Sequence, residues 1–428
     1  MKQECILQES SKNNRRYIDM KNIIFLFIVS NALFSQAQDT TKVLFVGNSI
    51  TYFNSMPQTF EAIANSLGDT TEVTMYAPGG TGFVDHVVNP NVYNHFREGD
   101  WDFIVLQPGS GESYGSTYPI GQTLERANVL VDSIYKYNPC VKVLYYEISN
   151  GVFGVSSVDS VNYNNSMSVI KGNIEFLSDS TELFFAPVGD VFRAKWNSDV
   201  NDILWGGYGD IHPNNKGSYI AACTFYSSIF QKSSYGTSEQ STLSVSEAES
   251  IQLLCDSIVL NYFPEWRINT YNQSTDFDYV MNSNTAYFNN LSQNIDSVHW
   301  DFGDGNSSSE ISPAHIFNSV GSFSVTLFTY KNGCMQIDTQ HVSIITIDLF
   351  ELENDVSWKV YPNPASDILI IENIENSNAV RYKVYDLFGR LLIESSEASI
   401  NVSSLNSGQY IIKKSNGDTE EIKRFIVQ

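Results

Sequence analysis

Short apolar runs separated by amphipathic stretches form the first of three patterns along the chain, over residues 42 to about 188. Each run is almost continuously apolar, as expected for strands that helices cover on both faces. In chain order the runs read VLFVG, EVTMYA, WDFIVLQ, VKVLYYEI and ELFFAPV. The pattern therefore predicts an α/β domain built on a parallel sheet with crossover helices.

The stretches between these runs carry apolar residues at helical spacing. The first such helix is predicted to end at Gly68, and its apolar positions are Met56, Phe60, Ile63, Ala64 and Leu67. A late helix is predicted to begin at a capping box formed by Ser244 and Glu247. With this helix the first domain closes, and we expect it to occupy residues 38–265.

After a polar linker at residues 269–274, the pattern changes to short alternating strands with turn residues and no long helix. Its densest feature is WDFGDG at residues 300–305. A third pattern, again all β, begins at Val360 with VYPNPASDILII and ends in KRFIVQ. We therefore predict two small β domains, over residues 270–346 and 355–428.

A cleaved secretory signal is predicted near the amino terminus. From Met20 the chain reads MKNIIFLFIVSNALFSQAQ, with a positive charge, an apolar run of roughly a dozen residues and small residues that suit a signal peptidase. The run is too short to span a bilayer stably, so no transmembrane span is expected in the mature protein. Residues 1–37 form the expected leader and signal peptide, in which the polar stretch 1–19 is either an unusually long leader or a mis-start upstream of Met20.

The charge of the chain excludes one class of partner. The formal net charge is -23, from 48 acidic and 25 basic residues, which would repel the phosphates of nucleic acid. No metal-type spacing is visible among the cysteines, and neither a metal nor a cofactor is expected. Cys223 and Cys255 are expected either to form a disulfide or to stay buried free thiols, while the other cysteines are core residues by default.

Ser49 lies where the first predicted strand runs into the first predicted helix, in the sequence Gly47-Asn48-Ser49. In an open parallel sheet, ligands bind beyond the carboxyl ends of the strands, at the point where strand order reverses. This position makes Ser49 a candidate nucleophile. Alternatively, the hydroxyl simply caps the helix.

Asp210 and His212 lie in the sequence GDIHPNNKG, just before a late helix. In an extended segment, residues two apart project to the same side, so Asp210 can orient the His212 ring. An imidazole that removes the serine proton, supported by a carboxylate, converts a poor nucleophile into a good one. The pair therefore completes a candidate catalytic set with Ser49, unless Asp210 merely caps a turn and His212 is a surface residue.

Together these motifs resemble the SGNH or GDSL family of hydrolases, over about half of the chain. The resemblance implies a three-layer, flavodoxin-like parallel sheet and a serine esterase mechanism. It also implies an oxyanion hole formed by the amides of Ser49 and Gly80, in the sequence APGGTGF, and by the side chain of Gln107. Gln107 stands where the family more usually carries asparagine, and one residue rather than two separates Asp210 from His212.

Three further residues near these motifs are candidate substrate contacts. They are Asn48 beside the nucleophile, His86 after the glycine turn and Glu112 after the third strand. For His86 and Glu112 the alternatives are a structural role and a solvated loop, respectively.

The two trailing regions resemble known modules of secreted proteins, the first a spacer or weak polysaccharide-binding unit and the second an export module. The run WDFGDG, with Pro313, His315 and Phe317, resembles a PKD domain, an immunoglobulin-like sandwich whose aspartates Asp301 and Asp304 are more typical of a turn than of a calcium site. The segments YPNPASD, VYDLFGRLL, LNSGQYIIK and RFIVQ resemble the C-terminal sorting domain of the type IX secretion system. This second resemblance implies export across an outer membrane, to the cell surface or the medium.

We therefore predict a secreted serine ester hydrolase that removes acetyl or other small acyl groups from carbohydrate. Its expected partners are an acylated polysaccharide as substrate and the type IX secretion machinery, which reads the C-terminal domain. The alternative is a catalytically silent surface protein that binds glycans or acts as an adhesin on a hydrolase fold. Hydrolysis of p-nitrophenyl acetate by the wild type and by Ser49→Ala distinguishes the two.

Overall fold

The structure, a computed structural model, describes residues 40–345, 358–373, 380–415 and 420–428. The predicted leader, residues 1–37, lies outside the described residues. Contacts within the chain divide it into two units, and the boundary between them in the sequence lies between residues 344 and 345. The domain limits expected from the sequence remain predictions.

A five-stranded parallel sheet organises the first part of the chain, in the order β2-β1-β3-β4-β5. The strands are β1 (Thr41–Val46), β2 (Thr71–Tyr76), β3 (Phe103–Leu106), β4 (Lys142–Tyr146) and β5 (Phe184–Ala186). The order reverses between β1 and β3, so ligands are expected at the carboxyl ends of these two strands. The predicted parallel sheet is confirmed.

Ten helices accompany this sheet within the described residues. They are α1 (Ser49–Tyr52), α2 (Met56–Ser66), α3 (Phe83–His86), α4 (Pro90–Glu98), α5 (Ser110–Ser113), α6 (Ile120–Tyr137), α7 (Ser157–Thr181), α8 (Val188–Ser198), α9 (Asn215–Phe230) and α10 (Val245–Val259). Ser244 precedes α10 as its N-cap residue, but its side chain makes no capping hydrogen bond. The predicted helix and its N-cap position are confirmed, whereas the predicted capping box is wrong.

Two apolar cores cover the two faces of the sheet, which gives the predicted three-layer architecture. Val43 and Phe45 of β1 pack in one core with residues of α2, α8, α9 and α10. Leu44 and Val46 face the other core, with residues of α4, α6 and α7. These four side chains are all buried. Alternate residues of a strand point to opposite faces, and both faces of this sheet are covered.

The first of the two all-β regions is a sandwich of two antiparallel sheets. One sheet has the order β10-β7-β6 and the other β12-β11-β8-β9. The strands are β6 (Phe277–Asn282), β7 (Thr285–Asn290), β8 (Ser297–Asp301), β9 (Ser307–Ser308), β10 (Ala314–Ile316), β11 (Gly321–Lys331) and β12 (Cys334–Ile344). Trp300 and Phe302 of the WDFGDG run are buried between the sheets with Phe288, as strand alternation predicted.

A disulfide between Cys140 and Cys334 joins the sandwich to the α/β domain. Cys140 precedes β4, and Cys334 begins β12 at the turn of the β11–β12 hairpin. Lys331, in the same hairpin, forms a 2.6 Å ion pair with Glu182. The expectation that Cys140 and Cys334 are ordinary core residues is therefore wrong, and Cys223 and Cys255 are buried free thiols.

The second unit, residues 345–428, contains two further antiparallel sheets in its described parts. Their orders are β13-β14-β17 and β16-β15-β18-β19. The strands are β13 (Trp358–Tyr361), β14 (Ile368–Asn373), β15 (Arg381–Tyr385), β16 (Leu391–Ser395), β17 (Ser399–Asn401), β18 (Gly408–Ser415) and β19 (Glu420–Val427). Leu369, Val384, Ile412 and Phe425 are fully buried in a core shared by both sheets. The all-β character predicted for this region is confirmed.

Candidate active site

A tight turn after β1 presents the Ser49 side chain. The Asn48 side chain accepts a hydrogen bond from the amide of Ile50 at 3.0 Å and thereby caps α1. A Cβ atom on Gly47 would lie 2.4 Å from the Thr51 Oγ1 atom and 2.7 Å from the Gln107 Oε1 atom. The turn therefore requires glycine at position 47, and it leaves Ser49 partly exposed at the edge of the sheet.

The side chains of Ser49, His212 and Asp210 form a continuous hydrogen-bonded chain. The Ser49 Oγ atom lies 2.8 Å from the His212 Nε2 atom. On the far side of the ring, the His212 Nδ1 atom lies 2.7 Å from the Asp210 Oδ1 atom. The backbone amide of His212 also donates to that oxygen at 3.0 Å. The structure thus brings together three residues that the sequence separates by up to 163 positions.

Hydrogen bonds keep the Asp210 carboxyl group ionised. The backbone and ring N–H groups of His212 lower the pKa of Asp210 below its usual value, because both favour the charged form. A carboxylate in this position selects the tautomer of His212 in which Nδ1 carries the proton, which leaves Nε2 free to accept one from Ser49.

Glycines on both sides let the catalytic loop close tightly around Asp210. A Cβ atom on Gly206 would lie 2.4 Å from the Asp210 Oδ2 atom, and one on Gly151 would lie 2.2 Å from the Asp210 carbonyl oxygen. The amide of Gly206 donates to the His212 carbonyl at 3.0 Å. These contacts fix the loop that carries both Asp210 and His212.

An aromatic ring missed by the sequence analysis stacks on the imidazole. The rings of Phe53 and His212 are nearly parallel, at 22°, with centroids 4.3 Å apart. Asn54 and Ser55, the next two residues, both adopt left-handed backbone conformations, with φ of 50° and 56°. Such conformations cost about 1–2 kcal/mol for residues other than glycine. Asparagine tolerates them best, which is the one signal the sequence offered.

Hydrogen bonds to the His212 loop hold this strained turn in place. The Asn54 side chain donates to the Pro213 carbonyl at 2.8 Å and to the Ser218 hydroxyl at 3.0 Å. The Ser218 hydroxyl donates in turn to the Phe53 carbonyl at 3.0 Å. The turn at residues 53–55 therefore connects the nucleophile helix directly to the loop of His212.

Backbone amides are available where an oxyanion would form. Within the described part of the chain, neither the amide of Ser49 nor that of Gly80 has a hydrogen-bond partner. Gly80 has a φ of 75° and is exposed. The turn that carries it lies beside the nucleophile, because the Thr81 carbonyl accepts from the Asn48 side chain at 2.8 Å and the Thr81 hydroxyl donates to the Gly47 carbonyl at 3.1 Å.

The expectation that Gln107 is an oxyanion donor needs correction. Its side chain is completely buried. Its Oε1 atom accepts from the Asn48 amide at 3.0 Å and from the Thr51 hydroxyl at 2.9 Å, and its Nε2 atom donates to the Pro108 carbonyl at 2.7 Å. In this arrangement Gln107 supports the nucleophile turn from beneath.

The three expected substrate contacts are also corrected, because all three side chains are buried. His86 bonds the Gly47 carbonyl at 3.0 Å, and burial lowers the pKa of its ring. Glu112 accepts hydrogen bonds from the amides of Phe83, Val84 and Gly109. Asn48 is used in capping α1 and in holding the Thr81 turn. These residues build the floor of the site.

A buried carboxyl group lies at the end of β4 that faces this site. Glu147 is fully buried, and burial together with the nearby Asp190 raises its pKa well above the usual range. One of its oxygens accepts from the Asp190 amide at 3.2 Å.

In the described ranges, no three His, Cys, Asp or Glu side chains are close enough together to hold a metal ion.

Two family models match the trailing parts of the chain. Residues 267–345 match the PKD domain, and residues 359–428 match the secretion system C-terminal sorting domain. The protein is therefore exported, to the cell surface or the medium. Among the described residues, no helix has the length and apolar character needed to cross a membrane.

Several solved structures are similar to the α/β domain. A DUF4886 family protein from Bacteroides uniformis is 18% identical, covers 53% of this chain and 96% of its own, and has a TM-score of 0.43. A proposed SGNH hydrolase from Slackia heliotrinireducens is 22% identical, with 44% and 98% covered and a TM-score of 0.34. An acetylxylan esterase from Geobacillus stearothermophilus is 13% identical, with 44% and 94% covered and a TM-score of 0.35. No curated protein matches the sequence.

Proposed function

We propose that the protein is a secreted serine ester hydrolase that removes acetyl or other small acyl groups from carbohydrate. The observation that carries the proposal is the chain of short contacts from the Ser49 hydroxyl through His212 to Asp210. Serine hydroxyls become nucleophilic when an oriented imidazole accepts their proton. Export supports an extracellular substrate, and acylated polysaccharide is the class we propose.

In the first half of the reaction, the Ser49 Oγ atom attacks the ester carbonyl while His212 takes its proton at Nε2. The carbonyl oxygen becomes negative and accepts hydrogen bonds from the amides of Ser49 and Gly80. The bond to the sugar oxygen then breaks, and His212 returns the proton to that oxygen. The products of this half are the free sugar hydroxyl and an acyl group on Ser49.

In the second half, His212 takes a proton from water, and the resulting hydroxide attacks the acyl group on Ser49. Collapse of this intermediate breaks the bond to Ser49 and releases the carboxylic acid, and the proton on His212 restores the serine hydroxyl. Throughout both halves the Asp210 carboxylate stabilises the imidazolium form of His212. The protein is therefore expected to lose nearly all of its esterase activity when the Ser49 hydroxyl is removed.

The test is hydrolysis of p-nitrophenyl acetate, together with acetate release from a panel of acetylated polysaccharides. We expect Ser49→Ala to lower kcat about 10³-fold or more, with thermal denaturation as the control for folding. Alkali-deacetylated samples of the same polysaccharides give the background. Equal rates for the wild type and Ser49→Ala would overturn the proposal.

One observation favours the second candidate, a catalytically silent glycan-binding protein. Gln107 uses its side-chain hydrogen bonds beneath the nucleophile turn, so the site relies on backbone donors alone. Subtracting one donor from an oxyanion hole commonly costs about 10²- to 10³-fold in rate. Retention of the wild type on acetylated polysaccharide without acetate release would favour this function over the esterase.

A further inference from the structure

An exposed aromatic ring lies beside the catalytic loop. Phe153 follows β4, at the same sheet edge as Ser49, and 77% of its surface is exposed. Phenylalanine is usually buried in a folded domain. An apolar ring left in water next to a candidate active site therefore needs a reason, which the proposed mechanism does not supply.

The backbone on both sides of Phe153 is anchored. Val152 is buried in the core of the α/β domain, and its carbonyl accepts from the amide of Gly209 at 2.8 Å. On the other side, Gly154 packs against Asp159, where a Cβ atom would lie 2.6 Å from the carboxylate. Since Asp159 also closes the capping box that begins α7, the loop holds its exposed ring at a fixed place.

The ring lies next to the loop that carries Asp210. A Cβ atom on Gly209 would lie 3.7 Å from the Phe153 ring, and Gly209 immediately precedes Asp210. Tyr208, the preceding residue, is half exposed. One side of the Phe153 ring thus faces Gly209 across a gap that one side-chain carbon would fill, and much of the ring surface is open to solvent.

We propose that Phe153 is a binding platform for a sugar ring of the acylated carbohydrate; this proposal rests on the esterase function proposed above. A pyranose has a face of C–H groups and a rim of hydroxyls. The C–H face packs well on an open aromatic ring, while the hydroxyls stay in water. A long acyl chain would instead gain most from an enclosed apolar channel, whereas the Phe153 ring is open.

The first test measures binding without catalysis. Isothermal titration of Ser49→Ala and of Ser49→Ala/Phe153→Ala uses deacetylated xylotetraose and mannotetraose as the two probes. We expect Phe153→Ala to weaken binding of at least one probe about three- to tenfold, and Phe153→Trp to restore it. Equal binding by the two proteins would overturn the platform, as would failure of both probes to bind Ser49→Ala.

The second test measures selectivity. The substrates are the acetylated forms of the tetrasaccharide probes. For Phe153→Ala, kcat/KM for the acetylated form of the probe that binds is expected to fall about three- to tenfold more than kcat/KM for p-nitrophenyl acetate. Phe176→Ala and Val158→Ser are the matched controls, because both residues are exposed on α7 and both changes should leave the ratio unchanged. A selective loss on p-nitrophenyl octanoate would assign Phe153 to the acyl chain and overturn the sugar platform.

The two proposals fail in different ways. If Ser49→Ala hydrolyses esters as fast as the wild type, the esterase mechanism is overturned whatever the oligosaccharide titrations show. If Ser49→Ala is inactive but Phe153→Ala changes neither binding nor selectivity, only the platform is overturned.

Discussion

Replacing Phe53 with leucine removes the ring that stacks on His212 but keeps an apolar side chain of similar size. Aromatic pairs with centroids at such distances, here 4.3 Å, contribute about 0.5–1.5 kcal/mol beyond their buried area. If that energy holds the imidazole in line with Ser49, its loss lowers kcat/KM about two- to twelvefold. The loss should fall on kcat, because p-nitrophenyl acetate need not contact the Phe53 ring to bind.

Two measurements separate positioning of the imidazole from general damage to the fold. The first is the rate at which a fluorophosphonate modifies Ser49, which reports activation of the hydroxyl by His212 directly. The second is rescue, since Phe53→Tyr keeps the stacked ring and should react at the wild-type rate. Phe176→Leu serves as the matched control, because Phe176 is a partly exposed phenylalanine on α7.

The reasoning would be refuted if, in Phe53→Leu, the fluorophosphonate modified Ser49 and p-nitrophenyl acetate was hydrolysed as fast as in the wild type. It would also be refuted if Phe53→Tyr were as slow as Phe53→Leu, because the ring itself would then not matter. A fall in the melting temperature without a fall in either rate would assign Phe53 a purely structural role.

Gln107→Glu keeps an acceptor for the Asn48 amide but loses the donor to the Pro108 carbonyl, so the melting temperature and kcat/KM for p-nitrophenyl acetate should fall together. A loss of about 10²- to 10³-fold in kcat/KM without a fall in melting temperature would instead indicate that Gln107 is an oxyanion donor. Replacing both Cys140 and Cys334 with serine opens a loop of sequence separation 194, and the chain-entropy model gives a loss of about 5 kcal/mol in the free energy of unfolding. Equal melting temperatures for this variant and the oxidised wild type would contradict that value. Because the pKa of Glu147 is raised, its contribution to stability is complete below the pKa of an exposed glutamate and is lost as pH rises toward the folded pKa. Glu147→Gln should therefore make the melting temperature depend less on pH as the pH rises above the pKa of an exposed glutamate. Parallel curves of melting temperature against pH for the two proteins would count against the buried acid.

The fold was predictable because its strands are buried on both faces. A strand such as β1, with Val43, Leu44, Phe45 and Val46 all inside, reads as an unbroken apolar run that few other structures explain. The prediction that Ser49 meets the Asp210–His212 pair relied on two general rules, the ligand edge of parallel sheets and the two-residue period of extended chains. The contacts agree with that expectation, and the catalytic roles remain a proposal.

What the sequence did not reveal depends on contacts between distant residues. Nothing in the order of residues indicates that Cys140 pairs with Cys334, since cysteine connectivity is not encoded in spacing alone. The burial of Gln107 was equally hidden, because the same amide can point into a pocket or beneath a turn, and only the positions of Asn48 and Thr51 decide which. Phe53 gave no signal, because its partner ring lies on a loop 159 positions later.

The disulfide between the two parts of the first unit determines which end of the parallel sheet carries the sandwich. Cys140 precedes β4, at the amino ends of the parallel strands, whereas Ser49 follows the carboxyl end of β1. The sandwich is therefore fastened at the end of the sheet opposite to the candidate active site. For the esterase proposed above, a polysaccharide substrate would then enter past the loops of the α/β domain itself, and a different module attached at the same cysteine should leave that entry open.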